Sequence, residues 1–301
     1  MLDSKTQTAP TFRFIFLLML FHQFISSFAY PFSKYGLNQI EPFSFAFFRF
    51  TFAGIIYGAI LFFRKERQRI PFRDQIKIFI VGLILIPVNQ LFFLIGQSKT
   101  TAGHASLLFA TTPIFIYILA LIVLGEKFQY RRTAGIFIAA AGVYIIISGG
   151  KIQFGTENLV GDILVLTAVI AWAVGTIIGK PLAQKYGAFR VTGLSLTYGS
   201  IVYFPFGLYY VLRGDYSNVT MGGWLSIFYM ATVISVVAYV LWYWILKYIE
   251  ASRAAVIQNI QPIIATSVAA LLLAEPISRN LVLGGIIVIA GVLLTEIGYG
   301  T

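Results

Sequence analysis

Three amide side chains interrupt a long apolar stretch near the end of the chain and are well suited to contact a polar solute. Gln258 and Gln261 lie three positions apart, so a helix places them on one face, with Asn259 beside them. An unsatisfied polar group in hydrocarbon costs on the order of several kcal/mol, so these amides are not expected to face lipid. They either line a cavity that binds solute or form hydrogen bonds between helices, and the sequence leaves both open.

Two prolines fall near the middle of apolar segments, at Pro113 and Pro262. A proline lacks the backbone N–H and clashes with the carbonyl group four residues earlier, which frees the carbonyls of Phe109 and Gln258. Free carbonyls at membrane depth are tolerated mainly beside a cavity or a partner group, and paired broken helices point to the central site of a transporter. A kink that improves packing is the alternative.

Arg49 is a charged residue about eight positions into an apolar segment, where an unpaired charge is costly and normally finds a partner or a wet cavity. Structural pairing with Asp162 or Glu275 is the simpler interpretation. Binding of a substrate carboxylate is the alternative, and it would imply an anionic or zwitterionic cargo.

Aromatic residues form a second group of candidates. In the eighth apolar segment, Tyr239, Trp242 and Tyr243 share one helix face. Rings that face a cavity suit flat apolar or cationic solutes through stacking and cation–π contacts. Rings at the membrane interface act as anchors instead, and both interpretations stay open.

The predicted substrate-binding set adds polar and aromatic residues from other segments. Its members are Gln23, Ser27, Tyr30, Asn89, Phe93, Phe109, Trp172, Tyr198, Tyr239, Trp242, Tyr243, Gln258 and Gln261. The first three are included because spacings of four and three place them on one helix stripe. His22 and His104 are candidates for proton coupling because histidine titrates near neutral pH, with hydrogen-bonded packing as the alternative.

Residue types needed for catalysis or metal binding are scarce. The chain has no cysteine, two histidines and no His-Glu-x-x-His motif, so we expect no enzyme activity, no catalytic residue, no metal and no cofactor. It also lacks a Gly-x-x-x-x-Gly-Lys motif, so ATP is not the expected energy source.

The elements that carry these residues are long apolar segments. Of the 301 residues, 58% are hydrophobic and 11% are charged, whereas a soluble domain has about a quarter charged residues. Unbroken apolar runs of about 20 residues indicate membrane-spanning helices and exclude the alternating pattern of a β-barrel. The predicted fold is an all-α integral membrane protein with ten transmembrane helices, the first of them retained and not a cleaved signal peptide. The predicted helices are 12–30, 42–63, 75–97, 102–124, 130–148, 160–181, 189–212, 222–247, 250–274 and 277–297.

The distribution of positive charge predicts the orientation. With the N-terminus inside, sixteen of the 22 Lys and Arg residues fall on the inner side and five on the outer side. Cytoplasmic loops collect Lys and Arg, so both termini are expected in the cytoplasm, with the protein in the inner membrane. The same asymmetry accounts for the net charge of +11 without a nucleic-acid partner.

The two halves of the sequence repeat. A shift of 149 positions carries Pro113 onto Pro262 and Glu126 onto Glu275, and both residue types are rare in membrane helices. Because five helices are an odd number, the second copy enters the membrane upside down, an arrangement common among secondary transporters. The predicted units are a tail at 1–11 and five-helix repeats at 12–150 and 151–301.

An ordered set of short motifs resembles the EamA family of the drug/metabolite transporter superfamily. In the first half the set is Arg49-Phe50, Asn89 with Phe92-Phe93, Thr101-Ala102, Ala105 to Leu108, Pro113, Leu124-Gly125-Glu126, Gly135 and Gly142-Val143; in the second half it is Ala238-Tyr239, Trp242, Ala251 to Ala255, Pro262, Glu275, Gly284 and Gly291-Val292. The resemblance implies a ten-helix exporter of amino acids, other metabolites or organic cations. The second half lacks an equivalent of Arg49, so any role of this arginine is not symmetric.

The predicted function is therefore a secondary transporter that moves small organic metabolites, such as amino acids or drugs, across the inner membrane by alternating access, in the direction of export. The alternatives are a receptor or scaffold that transports nothing and, among carriers, a nucleotide-sugar-type exchanger. The predicted partners are a small-molecule substrate and the lipid bilayer, without nucleic acid, for a chain that acts as a monomer or homodimer.

Overall fold

A computed structural model describes residues 10–64, 69–100, 105, 108–148, 159–261, 263–264 and 279–296. Regular structure in these ranges is helical throughout. We number the helices in chain order. Their bounds are α1 Phe12–Leu37, α2 Pro42–Phe63, α3 Phe72–Lys99, α4 Thr112–Val123, α5 Tyr130–Ser148, α6 Leu159–Tyr186, α7 Ala188–Val211, α8 Met221–Tyr248, α9 Ala251–Ile257 and α10 Arg279–Glu296.

Five of these helices are long and apolar enough to cross a membrane, namely α1, α2, α3, α6 and α8. Two shorter apolar helices occur at Thr112–Val123 and Val282–Thr295. Large apolar side chains also point outward, for example Phe62 at 83% exposure and Ile122 at 75%. Together with the length of the helices, this outward apolar surface indicates an all-helical membrane protein.

The start of α2 shows why helices begin where the sequence predicts. The Glu41 carboxylate accepts hydrogen bonds of 3.1 Å from the backbone N–H groups of Phe43 and Ser44, and Pro42 occupies the first turn. Proline is tolerated there because its missing N–H has no helical partner in any case. The side chain and the proline therefore fix the first turn locally.

Two predicted helices end too early, and a proline lies at or beside each predicted end. The first helix extends to Leu37, with an interruption at Phe28, because Pro31 falls in the first turn of the second piece, Ala29–Leu37, where it is compatible with a helix. Helix α6 continues past Pro181 to Tyr186.

Two helices contain π-helical turns at related positions. In α3 the turn covers Ile84–Gln90 and includes Pro87, and in α8 it covers Met230–Ala238. The shift of 149 positions carries the first turn to 233–239, which overlaps most of the second. A π-turn inserts an extra residue into the helix, changes the direction of the side chains that follow, and is frequent at functional sites.

Glycines allow α5 and α10 to pack closely. A Cβ atom added at Gly142 would lie 2.7 Å from the carbonyl oxygen of Gly284, and one added at Gly291 would lie 2.7 Å from the carbonyl oxygen of Gly135. Backbone contact of this kind through small residues is typical of packed membrane helices.

Candidate functional site

A cavity of about 110 Å³ lies between α1, α2, α3, α6, α8 and the segment that follows α9. Nine of the predicted site residues line it. They are His22, Tyr30, Arg49, Phe93, Phe109, Trp172, Tyr239, Gln258 and Gln261. The cavity walls therefore combine one formal positive charge with amides and aromatic rings.

Arg49 is 0% exposed and is held by neutral groups. Its Nε donates to the Ser235 hydroxyl at 2.9 Å, and its Nη1 donates to Oε1 of Gln90 at 2.6 Å. Its Nη2 has no hydrogen-bond partner within the described ranges. The Arg49 side chain also packs against the Phe50 ring, 4.8 Å from the centroid.

Asp162 and Glu275 are the two carboxylates that the sequence suggests as partners of Arg49. The Asp162 carboxylate accepts a hydrogen bond of 2.6 Å from the hydroxyl of Thr100. The ion pairs between described residues do not include Arg49, so the expected pairing with Asp162 is not what holds it. Glu275 lies outside the described residues, as do Pro262 and His104.

Aromatic rings form two groups around the cavity. Tyr30, Phe93 and Phe109 meet edge to face, with centroid distances of 5.3 to 6.2 Å. Trp172 lies 5.3 Å from the Tyr239 ring, also edge to face. Edge-to-face pairs are a favourable arrangement for aromatic rings, so each group is a stable apolar wall.

Trp242 and Tyr243 do not line the cavity but bind α8 to α6. The Trp242 indole N–H donates to the Thr176 hydroxyl at 3.2 Å, and the Tyr243 hydroxyl donates to the carbonyl of Gly175 at 2.8 Å. The Trp242 ring lies 5.6 Å from the ring of His22. These contacts form a packed layer beside the cavity.

The polar residues of α1 interact mostly with each other and with the segment after α9. Gln261 Nε2 donates to Gln23 Oε1 at 2.6 Å, and the Ser27 hydroxyl donates back to the Gln23 carbonyl at 2.6 Å. Gln23 also lies 3.1 Å from the His22 ring nitrogen Nδ1. The amide pair therefore links the first and second halves of the chain directly.

Three other predicted residues have structural contacts. Asn89 Nδ2 donates to the carbonyl of Ala168 at 2.7 Å, and Tyr198 packs on Phe79 with centroids 6.0 Å apart. Pro113 lies in the first turn of α4, after a helical break at Ala110.

The carbonyl that Pro113 frees already has a partner. The Thr112 hydroxyl donates to the Phe109 carbonyl at 2.5 Å, so this oxygen is satisfied within the protein while the Phe109 ring lines the cavity.

A charge cluster, defined as Glu126, Arg132, Lys180, Glu250 and Ser252, lies at one end of the helices, with Arg132 fully buried and Glu250 partly exposed. Arg132 pairs with Glu126 at 3.4 Å and closely with Glu250, and its Nη1 donates to the Ser252 hydroxyl at 2.5 Å. Lys180 Nζ lies 3.6 Å from Glu126. The cluster joins the turn after α4 to the turn before α9.

The position of Glu126 depends on the residue before it. Gly125 has a φ of 66°, in the left-handed region that side chains disfavour, and it reverses the chain after α4. The backbone N–H of Glu126 then bonds to the Ala120 carbonyl at 3.1 Å.

Comparison with known proteins identifies the family. The model of the EamA-like transporter family matches this chain twice, over residues 13–148 and 159–297. The chain belongs to the EamA-like transporter family. It is accordingly a membrane transporter of the EamA type, as the resemblance of its motifs predicted.

Curated relatives of this EamA-like chain are transporters by name. An uncharacterized transporter of Archaeoglobus fulgidus is 30% identical over 93% of this chain and 96% of its own length. The uncharacterized transporter YyaM of Bacillus subtilis is 26% identical, over 93% and 92%. A probable amino-acid metabolite efflux pump of Salmonella typhimurium is 27% identical, over 88% and 89%.

A solved crystal structure shares the fold of this EamA-like chain. It aligns with a TM-score of 0.72 over 92% of this chain and 98% of the other, at 15% sequence identity. At that identity the likeness concerns the fold alone.

Sequence reasoning missed Gln90 and Ser235, the two residues that hold Arg49. Gln90 had a visible signal, because it follows Asn89 in an apolar segment. Ser235 had little, because a serine in a membrane helix commonly bonds back to its own helix. It does so here as well, donating to the Met230 carbonyl at 2.9 Å.

Proposed function

We propose that this EamA-like protein is a secondary transporter that moves small organic metabolites across the inner membrane by alternating access, in the direction of export. The observation that carries the proposal is the cavity itself. Its walls come from α1, α2 and α3 and also from α6, α8 and the segment after α9, so both halves of the chain contribute. A site between two halves is accessible from either side when the halves move relative to each other.

The proposed architecture is ten membrane-spanning helices in two inverted repeats, 12–150 and 151–301, after a tail at 1–11. Three observations support it: the paired Pro and Glu residues, the separate family matches at 13–148 and 159–297, and the π-turns at related positions in α3 and α8. The asymmetry of Lys and Arg supports cytoplasmic termini.

The charge cluster supports alternating access. In the proposed orientation it lies at the cytoplasmic end, where Glu126 and Arg132 of the first repeat contact Glu250 and Ser252 of the second. Ion pairs between two moving halves are suited to a gate because they form and break as discrete contacts. Trp242 and Tyr243 bond α8 to α6 beside the cavity, and we propose that this packed layer is a second barrier to the movement of solute.

Export and the substrate class are supported by one relative. The Salmonella protein is named a probable amino-acid metabolite efflux pump. We therefore propose amino acids and related compounds as the first substrates to test.

The experiment is exchange of radiolabelled amino acids in proteoliposomes that contain the purified protein. Saturable exchange that the variant Ala29→Phe abolishes is the expected result, because Ala29 lines the cavity and a ring would fill it. Ala59→Phe is the matched control, since Ala59 is exposed on α2 and exchange should persist.

Absence of exchange for amino acids, organic cations and nucleotide sugars alike, from protein that is folded, contradicts the proposal. That result favours a receptor or scaffold.

A further inference from the structure

The cavity contains an unused cationic donor. Of the five N–H groups of a guanidinium, Arg49 uses one at Nε and one at Nη1, whereas Nη2 has no acceptor in the described part of the chain. The residue is 0% exposed and lines the cavity. The free donors therefore belong to a buried group beside a cavity of about 110 Å³.

A second unused donor lies on the same cavity. The Tyr239 hydroxyl is buried and has no hydrogen-bond partner among the residues that the structure describes, although the ring itself is packed against Trp172. Arg49 and Tyr239 both line this cavity. Buried polar groups are satisfied in the great majority of cases, so two unpaired donors on one cavity indicate a missing acceptor.

The described part of the cavity wall contains no Asp or Glu. Described carboxylates that form ion pairs do so elsewhere, at Glu126, Glu250 and Asp74. A buried guanidinium without a counter-ion is costly, and an anionic ligand relieves that cost whereas a cationic ligand adds to it. The charge of the wall thus favours anions over cations.

The guanidinium is held in a fixed orientation before any ligand arrives. Gln90 presents its oxygen to Arg49 because its Nε2 donates to Asn89 at 2.5 Å, and Asn89 in turn donates to Ala168. Ser235 is anchored on the π-turn of α8 through the Met230 carbonyl. A planar guanidinium fixed in this way matches the two oxygens of a carboxylate.

We infer that the cavity binds a small metabolite through its carboxylate, which accepts hydrogen bonds from Arg49 Nη2 and the Tyr239 hydroxyl, and that it rejects organic cations. The rings of Tyr30, Phe93 and Phe109 provide an apolar surface for the rest of the molecule. This inference rests on the proposed function, because it names the cargo class of the same cavity.

The test is calorimetric binding to the purified protein with matched probes: each of the standard amino acids, its carboxamide and the amine left by decarboxylation. Binding by one or more amino acids, with at least tenfold weaker binding of the matched carboxamide and amine, is expected. Equal binding of an amide or amine, or no binding by any amino acid, overturns the inference.

Three variants locate the contact. Arg49→Gln is expected to weaken amino-acid binding roughly 10- to 100-fold, the range for hydrogen bonds to a charged group. Tyr239→Phe is expected to weaken it roughly fivefold, and its folding should be unaffected because the hydroxyl has no hydrogen-bond partner among the described residues. Arg213→Gln, at an exposed arginine after α7, is the matched control and should bind as the parent does.

If Arg49→Gln fails to fold, Tyr239→Phe still decides, since unchanged amino-acid affinity in that variant contradicts the inference. The proposed function fails separately. If proteoliposomes exchange amines or amides but not amino acids, the proposed transport function stands and the inference of carboxylate recognition is wrong. If the protein binds amino acids but exchanges none of the compounds tested, carboxylate recognition stands and the proposed transport function is wrong.

Discussion

The Glu126 carboxylate accepts a hydrogen bond from the backbone N–H of Ala251 at 2.7 Å, so the turn after α4 is tied to the first residue of α9. The same carboxylate accepts a close hydrogen bond from the Ser252 hydroxyl. Arg132, which is 0% exposed, completes the cluster. A few buried polar contacts therefore connect the first half of the chain to the second at this end.

Glu126→Gln is expected to weaken this connection. Glutamine keeps an acceptor for Ala251 but removes the charge that faces Lys180 and Arg132, and a broken buried ion pair costs about 3–5 kcal/mol. The expected results are a lower melting temperature in detergent and slower amino-acid exchange. Glu41→Gln is the control, because Glu41 is an exposed helix cap and its loss costs about 1 kcal/mol.

Glu126→Gln is also expected to increase access to the packed layer of Trp242 and Tyr243 beside the cavity. The chain has no cysteine, so a single Thr176→Cys reports accessibility without background labelling. Faster maleimide labelling of Cys at this position from the cytoplasmic side, when Glu126→Gln is added, is expected for a gate. Equal labelling with and without the second substitution contradicts the gating role and leaves the cluster a purely structural one.

Tyr243→Phe is expected to lower stability without changing substrate affinity. Sequence reasoning placed Tyr243 in the substrate site, but its hydroxyl donates to the Gly175 carbonyl at 2.8 Å and does not line the cavity. Loss of that bond costs about 1 kcal/mol. Thermal unfolding checks the stability and calorimetry the affinity, with Tyr209→Phe at an exposed tyrosine as the control. A large change in affinity with unchanged stability contradicts this assignment.

Arg49 shows how far the sequence leads and where it stops. A charge in an apolar segment predicts a partner or a cavity, and the structure places Arg49 at a cavity. Its partner Ser235 is 186 positions away, on a π-turn that contains no proline or other local signal. Pro87 marks the other π-turn, so that one had a visible cause. Local chemistry thus predicts which residues are unusual, whereas their partners depend on how the helices pack.

Two glycines offer a matched test of helix packing. At Gly142 an added Cβ meets backbone atoms of α10 at 2.7 Å, so Gly142→Ala must push the helices apart and lower the melting temperature. At Gly58 of α2 an added Cβ meets nothing within 4 Å, so Gly58→Ala should be neutral or stabilise by up to about 1 kcal/mol through helix propensity. Equal melting temperatures for the two variants are inconsistent with the α5–α10 contact.

Gln258→Ala is expected to impair transport while leaving folding intact. Gln258 lines the cavity beside Gln261, whose amide is engaged with Gln23. Removing the amide takes away a polar group from the cavity wall, and a lost neutral hydrogen bond to the substrate weakens binding by about 1 kcal/mol, or roughly fivefold in KM. Exchange kinetics in proteoliposomes measure KM, and thermal unfolding reports folding. Gln184→Ala, at an exposed glutamine near the end of α6, is the matched control. Unchanged kinetics for Gln258→Ala remove this residue from the site, whereas a KM that rises equally in both variants points to a general loss of stability.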